Sequence, residues 1–419
     1  MLMLKALRHR SIARLWLGQA FSSIGDEFYR VSLIWLVVGL IGKETGYLAA
    51  AQAAALMLLS FIGGKWADNW RPLNTMVGVD LIRAVIVLIP VAYSFFAPLS
   101  LPLLVVTALL LSGLGAFFDP ALQTCLPHFS PDLQTLRSAT GLMSTTTRLA
   151  RFIGPGLIGV LGGFVPPIHF FTLDAFTFAV SAASVQTLCN EEKKKSFKKR
   201  TDIENQTADV RRKRISFAEA IASGFHAVRK QEGMTYLFFS RSLTSGTWNL
   251  AVGLGFALLV QQLAGNSTST FGTVIAGYGG GNLAGALFFG NRQRSKPLIL
   301  MFTGFLWLGL GFALISMAPT IPWIVAACAF TGFAGPMNDL AFVDLIQARF
   351  PINEMTRVFR LRLAIETAST LLFMLMSPTL VTWLGVRGVI ALCGVAWMSS
   401  GILGFILFKK KMPKYSPAR

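Results

Sequence analysis

The chain has 419 residues, 53% of them hydrophobic and only 14% charged, with a mean hydropathy of +0.59. That excludes an ordinary soluble fold of this length and makes lipid the expected solvent. The formal net charge of +19 lies in short basic clusters between apolar stretches, so no basic face for nucleic acid is expected and the clusters read as topology signals.

Lys5, Arg8, Arg10 and Arg14 precede the first apolar run, which continues through charged residues with no small-residue cleavage site behind it; a retained span is expected there, not a signal peptide. A membrane-crossing helix takes roughly 20 mainly apolar residues. Runs of that length fall at 15–40, 47–66, 75–97, 101–123, 136–162 and 167–188, and again at 234–263, 270–290, 297–318, 321–347, 356–384 and 388–408. These twelve runs predict an all-α membrane protein with 12 transmembrane helices.

Basic residues alternate between the connections. Lys65 and Arg71, the run from Lys193 to Arg214, then Arg292, Arg294 and Lys296, then Arg349 and Arg357 share one side. The opposite connections at 97–100, 163–166, 264–269 and 319–320 carry no Lys or Arg, with Lys43 and Arg387 as lone exceptions nearby. The basic side is cytoplasmic by the positive-inside rule, which places both termini in the cytoplasm. Cys125, Cys189, Cys328 and Cys393 are isolated, so neither a disulfide framework nor a metal site is expected.

Residues 190–214 are polar and charge-rich and read as a flexible cytoplasmic linker. Phe217, Ile221, Phe225 and Val228 then recur at helical spacing, which predicts a short amphipathic helix on the membrane surface or a merely solvated one. The expected organisation is a six-helix half at 1–189, a basic linker with that helix at 190–231, and a second six-helix half at 232–419. Matching landmarks support an internal repeat: one offset lays Arg137, Pro155 and Gly162 on Arg360, Pro378 and Gly385.

An ionisable side chain at mid-bilayer depth is costly and marks a candidate functional site. At the helical rise, Asp26 and Glu27 lie roughly 18 Å along the first span from Arg14, with Arg30 a turn further. Arg148 and Arg151 lie roughly 16 and 21 Å into the fifth span. Asp26 and Glu27 are the expected partners of those arginines, and two roles stay open: coupling of proton entry to solute exit, or an ion-pair network bracing two helices. Glu366, roughly 15 Å into the eleventh span, is the central acid of the second half, with either a proton or substrate role or a partnership with Arg362 or Arg241. Asp80 and Arg83 fall near the cytoplasmic end of the third span and are assigned to a gate. Asp119, Asp339 and Asp344 are assigned helix capping or gate pairing, and Asp174 is read as a structural partner of Arg30. Trp248, Asn249 and Tyr278 are candidate cavity-lining residues.

After the second span the chain reads Gly64-Lys65-Trp66-Ala67-Asp68-Asn69-Trp70-Arg71-Pro72, which resembles the G-x-x-x-D-R-x-x-R-R loop of the major facilitator superfamily. Asn69 stands where that family has arginine and Pro72 where a further basic residue is usual. Gly154, Pro155 and Gly159 resemble the G-P-x-x-G motif of its antiporters, where glycines permit close packing and proline a bend. Ser22 to Asp26, Asp80 with Arg83, and Gly115 to Ala121 are similar to the branch containing the enterobactin exporter and macrolide efflux proteins, and Arg148 looks like an arginine of its siderophore-exporting members.

The resemblance implies a major facilitator fold of two pseudo-symmetric six-helix halves, with Gly64, Asp68, Arg71, Asp80 and Arg83 at a cytoplasmic gate. It implies a proton-coupled exporter in a bacterial inner membrane, acting as a monomer without a cofactor. The substrate-binding candidates are Arg148, Arg151, Arg30, Trp248, Asn249 and Tyr278, and the proton-coupling candidates are Asp26, Glu27 and Glu366. A siderophore or similar anionic metabolite is the first choice of substrate, with multidrug or macrolide efflux and lysophospholipid flipping as alternatives. The chain has no G-x-x-x-x-G-K-[ST], HExxH or G-x-S-x-G, so neither ATP hydrolysis nor an enzyme is expected.

Overall fold

The computed structural model describes residues 3–67, 71–199, 217–290 and 296–409, and among these every regular element is helical. The first group of helices is α1 (Arg10–Ile41), α2 (Thr45–Ala67), α3 (Pro72–Ser94), α4 (Leu101–Phe129), α5 (Leu133–Leu161) and α6 (His169–Lys199). The second comprises α7 (Phe217–Lys230), α8 (Met234–Trp248), α9 (Phe256–Ala264), α10 (Thr268–Gly290), α11 (Pro297–Ser316), α12 (Ile321–Arg349) and α13 (Ile352–Phe408). Each expected apolar run coincides closely with a helix, because apolar length and backbone hydrogen bonding in lipid leave few alternatives.

The helix ends follow local chemistry. Proline occupies the first turn of α3, α4, α11 and α12, where its missing N–H costs nothing. Three departures from the sequence reading stand out. Helix α6 runs on to Lys199, ten residues into the segment expected to be irregular from 190. Between α8 and α9 the chain forms a π-helical segment, Asn249–Gly255, so the seventh run is continuous but locally widened. In α13 the helix is broken only at Gly385 (φ 68°, ψ 169°), a conformation essentially reserved to glycine, so the eleventh and twelfth runs join without a loop.

Packing resolves two compact units. Unit 1 comprises Met1–Tyr29, Leu58–Ala150 and Ile168–Ser216; unit 2 comprises Arg30–Met57, Arg151–Pro167 and Phe217–Arg419. Unit 1 buries Ile12, Leu15, Met76, Phe118 and Leu188 in a common core. In unit 2, Phe302, Phe305, Phe312 and Phe342 are fully buried. Helices α10 and α12 meet almost backbone to backbone: a Cβ on Gly277, Gly281 or Gly285 would lie 2.9, 2.0 and 2.1 Å from the carbonyl oxygens of Val325, Ala329 and Phe333. Both series step by four residues, so the glycines form one stripe that admits the partner helix.

Helix α7 sits on the start of α13, where a Cβ on Gly224 would meet the Arg357 carbonyl at 2.7 Å. Its Val228 is buried and its Phe225 exposed. Leucine, valine and phenylalanine side chains such as Val85, Val160, Phe176, Phe239 and Leu407 lie exposed along the helices, a surface suited to lipid and unsuited to water. Among the described residues, five helical stretches are long and apolar enough to cross a membrane by length and composition: Pro72–Ser94, Leu101–Phe129, Met234–Ala264, Pro297–Ser316 and Arg357–Phe408.

Candidate functional site

In unit 1 the charged side chains converge on Arg83. Its guanidinium lies over the rings of Phe118 and Phe178, 5.0 and 5.5 Å from their centroids, which holds it by cation–π attraction. Asp80, one turn earlier on α3, is fully buried, and its Oδ1 is 3.9 Å from Arg83 Nη1, too long for a hydrogen bond. Asp26 of α1, Asp119 of α4 and Asp174 of α6 all feel the charge of Arg83. Asp26 and Asp119 are exposed, whereas Glu27 and Asp174 are buried.

Several expectations change here. The charges acting on Asp26 include Arg83, Glu27 and Asp119, and Asp26 in turn acts on Asp80 and Asp174. Those acting on Asp174 are Asp26, Arg83 and Asp80, with its Oδ1 at 3.4 Å from the Thr177 hydroxyl. Asp119 is ten residues short of the end of α4, so it caps nothing. Of the other gate residues, Gly64 is in the last turn of α2, Arg71 is exposed just before α3, and Asp68 lies outside the described residues. Arg148 is half-buried in the part of α5 that belongs to unit 1.

Unit 2 carries a second charge network. Glu366 Oε1 accepts hydrogen bonds from Arg241 Nε at 2.9 Å and Arg362 Nε at 2.8 Å. Arg241 Nη2 donates to Asp339 Oδ1 at 2.5 Å. Of the two arginine partners expected for Glu366, both pair with it at once. Asp339 is a bridging member well inside α12 and not a cap. Arg362 also lies 5.1 Å from the Phe342 ring centroid. The sequence offered Arg362 or Arg241 as a partner of Glu366; that Asp339 joins them was not legible, because it lies on another helix.

At the π-helical segment, Trp248 Nε1 donates to the Tyr278 hydroxyl at 2.6 Å and Asn249 Nδ2 to Thr370 Oγ1 at 3.1 Å. Arg151 is exposed, and its charge reaches Tyr278. Arg30 is half-buried on α1. The segment with Gly154, Pro155 and Gly159 packs tightly on α10: a Cβ on Gly272 would lie 2.5 Å from Gly159 N, and Ser269 Oγ donates to the Gly159 carbonyl. No group of three or more potential metal ligands occurs among the described residues.

A family model described as transmembrane secretion effector matches residues 3–351. The chain belongs to that family. The chain is 23% identical over 333 residues to the multidrug efflux pump Tap of Mycolicibacterium fortuitum, covering 75% of this chain and 76% of that protein. It is also 23% identical over 357 residues to multidrug resistance protein 1 of Bacillus subtilis (strain 168), covering 77% and 82%. Among solved structures, a POT family transporter in complex with 5-aminolevulinic acid superposes with a TM-score of 0.69 at 13% identity over 97% of this chain and 96% of that one. A second, with a thioalcohol-conjugated peptide, gives 0.68 at 12% identity over 96% of each. The chain is therefore a membrane transporter of the major facilitator type, helical in all its regular elements among the described residues.

Proposed function

We propose that this protein is a monomeric secondary active exporter in a bacterial inner membrane, moving a small organic solute outward by alternating access against the entry of protons. The observation that carries the reading is the setting of Asp26: an exposed carboxylate in the middle of α1, near the Arg83 guanidinium and among the acids Glu27, Asp80, Asp119 and Asp174. Such a carboxylate has little fixed counter-charge. A proton or a cationic solute supplies it, and competition between the two couples their movements.

Two solute classes follow from different residues. Arg148, Arg151 and Arg30 favour an anionic metabolite of the siderophore kind, the first choice from sequence. The exposed carboxylate of Asp26, with the drug-efflux names of both relatives, favours a lipophilic cation and hence multidrug efflux. Trp248 and Tyr278 supply the flat apolar faces that either class needs. Everted vesicles energised by a proton gradient and loaded with ethidium, together with a profile of metabolites secreted by a deletion strain, separate the two. Proton-driven transport is expected to vanish in Asp26→Asn; full retention refutes the reading.

A further inference from the structure

Behind Asp26 runs a seam of polar side chains contributed by three helices of unit 1. On α1, Ser22, Asp26 and Tyr29 recur at four and three residues, one face of the helix. On α6, Asp174, Thr177 and Ser181 recur at three and four. Asp80 and Arg83 enter from α3. Helices α1 and α6 approach closely through Gly25, whose Cβ, were there one, would lie 1.9 Å from Thr177 Oγ1 and 2.5 Å from Asp174 Oδ1.

The seam is buried and under-bonded. Ser22 Oγ, Tyr29 OH and Asp174 Oδ2 are sealed from solvent and make no hydrogen bond, and the two sealed carboxylate oxygens of Asp80 have the Ser181 hydroxyl as their one nearby donor besides the distant Arg83 guanidinium. The Ser181 hydroxyl lies beside Asp80, and Arg83, the guanidinium nearby, is occupied by two aromatic faces. A buried polar atom left unmatched costs about 1–3 kcal/mol. Unmatched atoms gathered in one seam would consume much of a domain's stability. A carboxylate only accepts hydrogen bonds, whereas a carboxylic acid also donates one. One proton on Asp80 therefore turns one of two under-bonded acceptors into a donor, and lowers the surplus of negative charge.

We propose that Asp80 and Asp174 hold the coupling proton, with Asp26 as the exposed relay and Arg83 as a fixed counter-charge. This rests on the proton-driven export reading. The proton enters by forming an O–H bond on a seam carboxylate and leaves to water on the other side when that bond breaks; no other bond changes. The groups that set its occupancy are Arg83 on α3, Asp26 and Glu27 on α1, Asp119 on α4 and Asp174 on α6. Buried carboxyl chains serve as proton relays in membrane transporters generally.

The test uses the full chain in proteoliposomes with ethidium as probe. Asp80→Asn and Asp174→Asn are each expected to lose at least about tenfold in transport driven by a pH gradient, with ethidium counterflow in the absence of a gradient retained. Retained gradient-driven transport in both variants overturns the proposal, and so does loss of counterflow alongside it, which would make the seam a solute or packing site. An infrared measurement is independent of the solute. The carbonyl stretch of a protonated carboxylic acid is expected in the wild-type chain and is expected to weaken in either variant; an unchanged band overturns the proposal. If the wild-type chain ignores a pH gradient, the export reading fails by itself and the infrared result alone decides the seam. Should Asp80→Asn not fold, Asp80→Glu is expected to keep the band but shift it, and an unshifted band counts against the assignment.

Discussion

Replacing Glu366 by leucine removes the acceptor shared by Arg241 and Arg362. The wild-type network has side-chain exposures of 13% for Arg241, 17% for Arg362 and 18% for Glu366, low enough that water screens it weakly. Two charge-assisted hydrogen bonds are lost, each worth about 1.5–3 kcal/mol. Asp339 continues to compensate Arg241, which trims the sum to about 3 kcal/mol. A double-mutant cycle combining Glu366→Leu with Arg362→Met isolates the pairwise part, expected at about 1–2 kcal/mol because the two apolar replacements leave no uncompensated charge between those positions. The measurement is reversible unfolding of the purified chain from mild detergent into SDS, followed by circular dichroism. The ion pair between Arg14 and Glu191 is the internal control: its side chains are 38% and 44% exposed, so its coupling is expected below about 1 kcal/mol. A coupling at Arg362 and Glu366 no larger than that of the control refutes the view that burial gives this network its strength.

Gly385→Ala is expected to destabilise by about 1–3 kcal/mol in the same assay, purely through backbone strain, since a Cβ there would meet nothing within 4 Å. Gly272→Leu drives a side chain into Gly159 and Ile158, and is expected to abolish ethidium efflux while leaving the protein in the membrane fraction. Trp248→Phe keeps an aromatic ring but loses the 2.6 Å hydrogen bond to Tyr278; a rise in the ethidium KM with kcat little changed is the expected kinetic pattern. At the start of α5, Asp132 accepts from Thr135 N at 2.6 Å, and the Thr135 donors hold its carboxyl below the usual carboxylate range. Its contribution is complete above the unfolded carboxyl range and is lost as pH falls through the folded value, so the acid arm of the stability curve is expected to flatten in Asp132→Asn.

The positions of the helices were legible because each run had to satisfy its own backbone in lipid. Pro72, Pro297 and Pro322 even marked starts to within a residue or two. What sequence could not supply was the direction in which each charge points. Asp26 and Glu27 are neighbours at one depth, yet one is exposed and the other buried, because successive residues on a helix diverge by roughly 100°. Arg83 was assigned to a gate from its depth along α3, and only the positions of Phe118 and Phe178 on other helices show it clasped among aspartates. The π-helical turn at Asn249 carries no proline, and its Gly253 and Gly255 are two among many glycines in the apolar runs, so its widening was invisible until Thr370 and Tyr278 appeared beside it. The continuation of α6 to Lys199 was hidden by its charge: lysines and glutamates propagate a helix well, and only lipid demands that they be absent.

Helices α1, α2 and α5 each run through a boundary between the compact units, so neither unit is encoded by a contiguous stretch of gene. A gene split within 200–216 would yield a first polypeptide carrying Arg30–Met57 and Arg151–Pro167, which take their packing from the second. Each fragment made alone is then expected to be a substrate for membrane proteases. Made together, the two are expected to rescue one another and to purify as a pair on a single affinity tag.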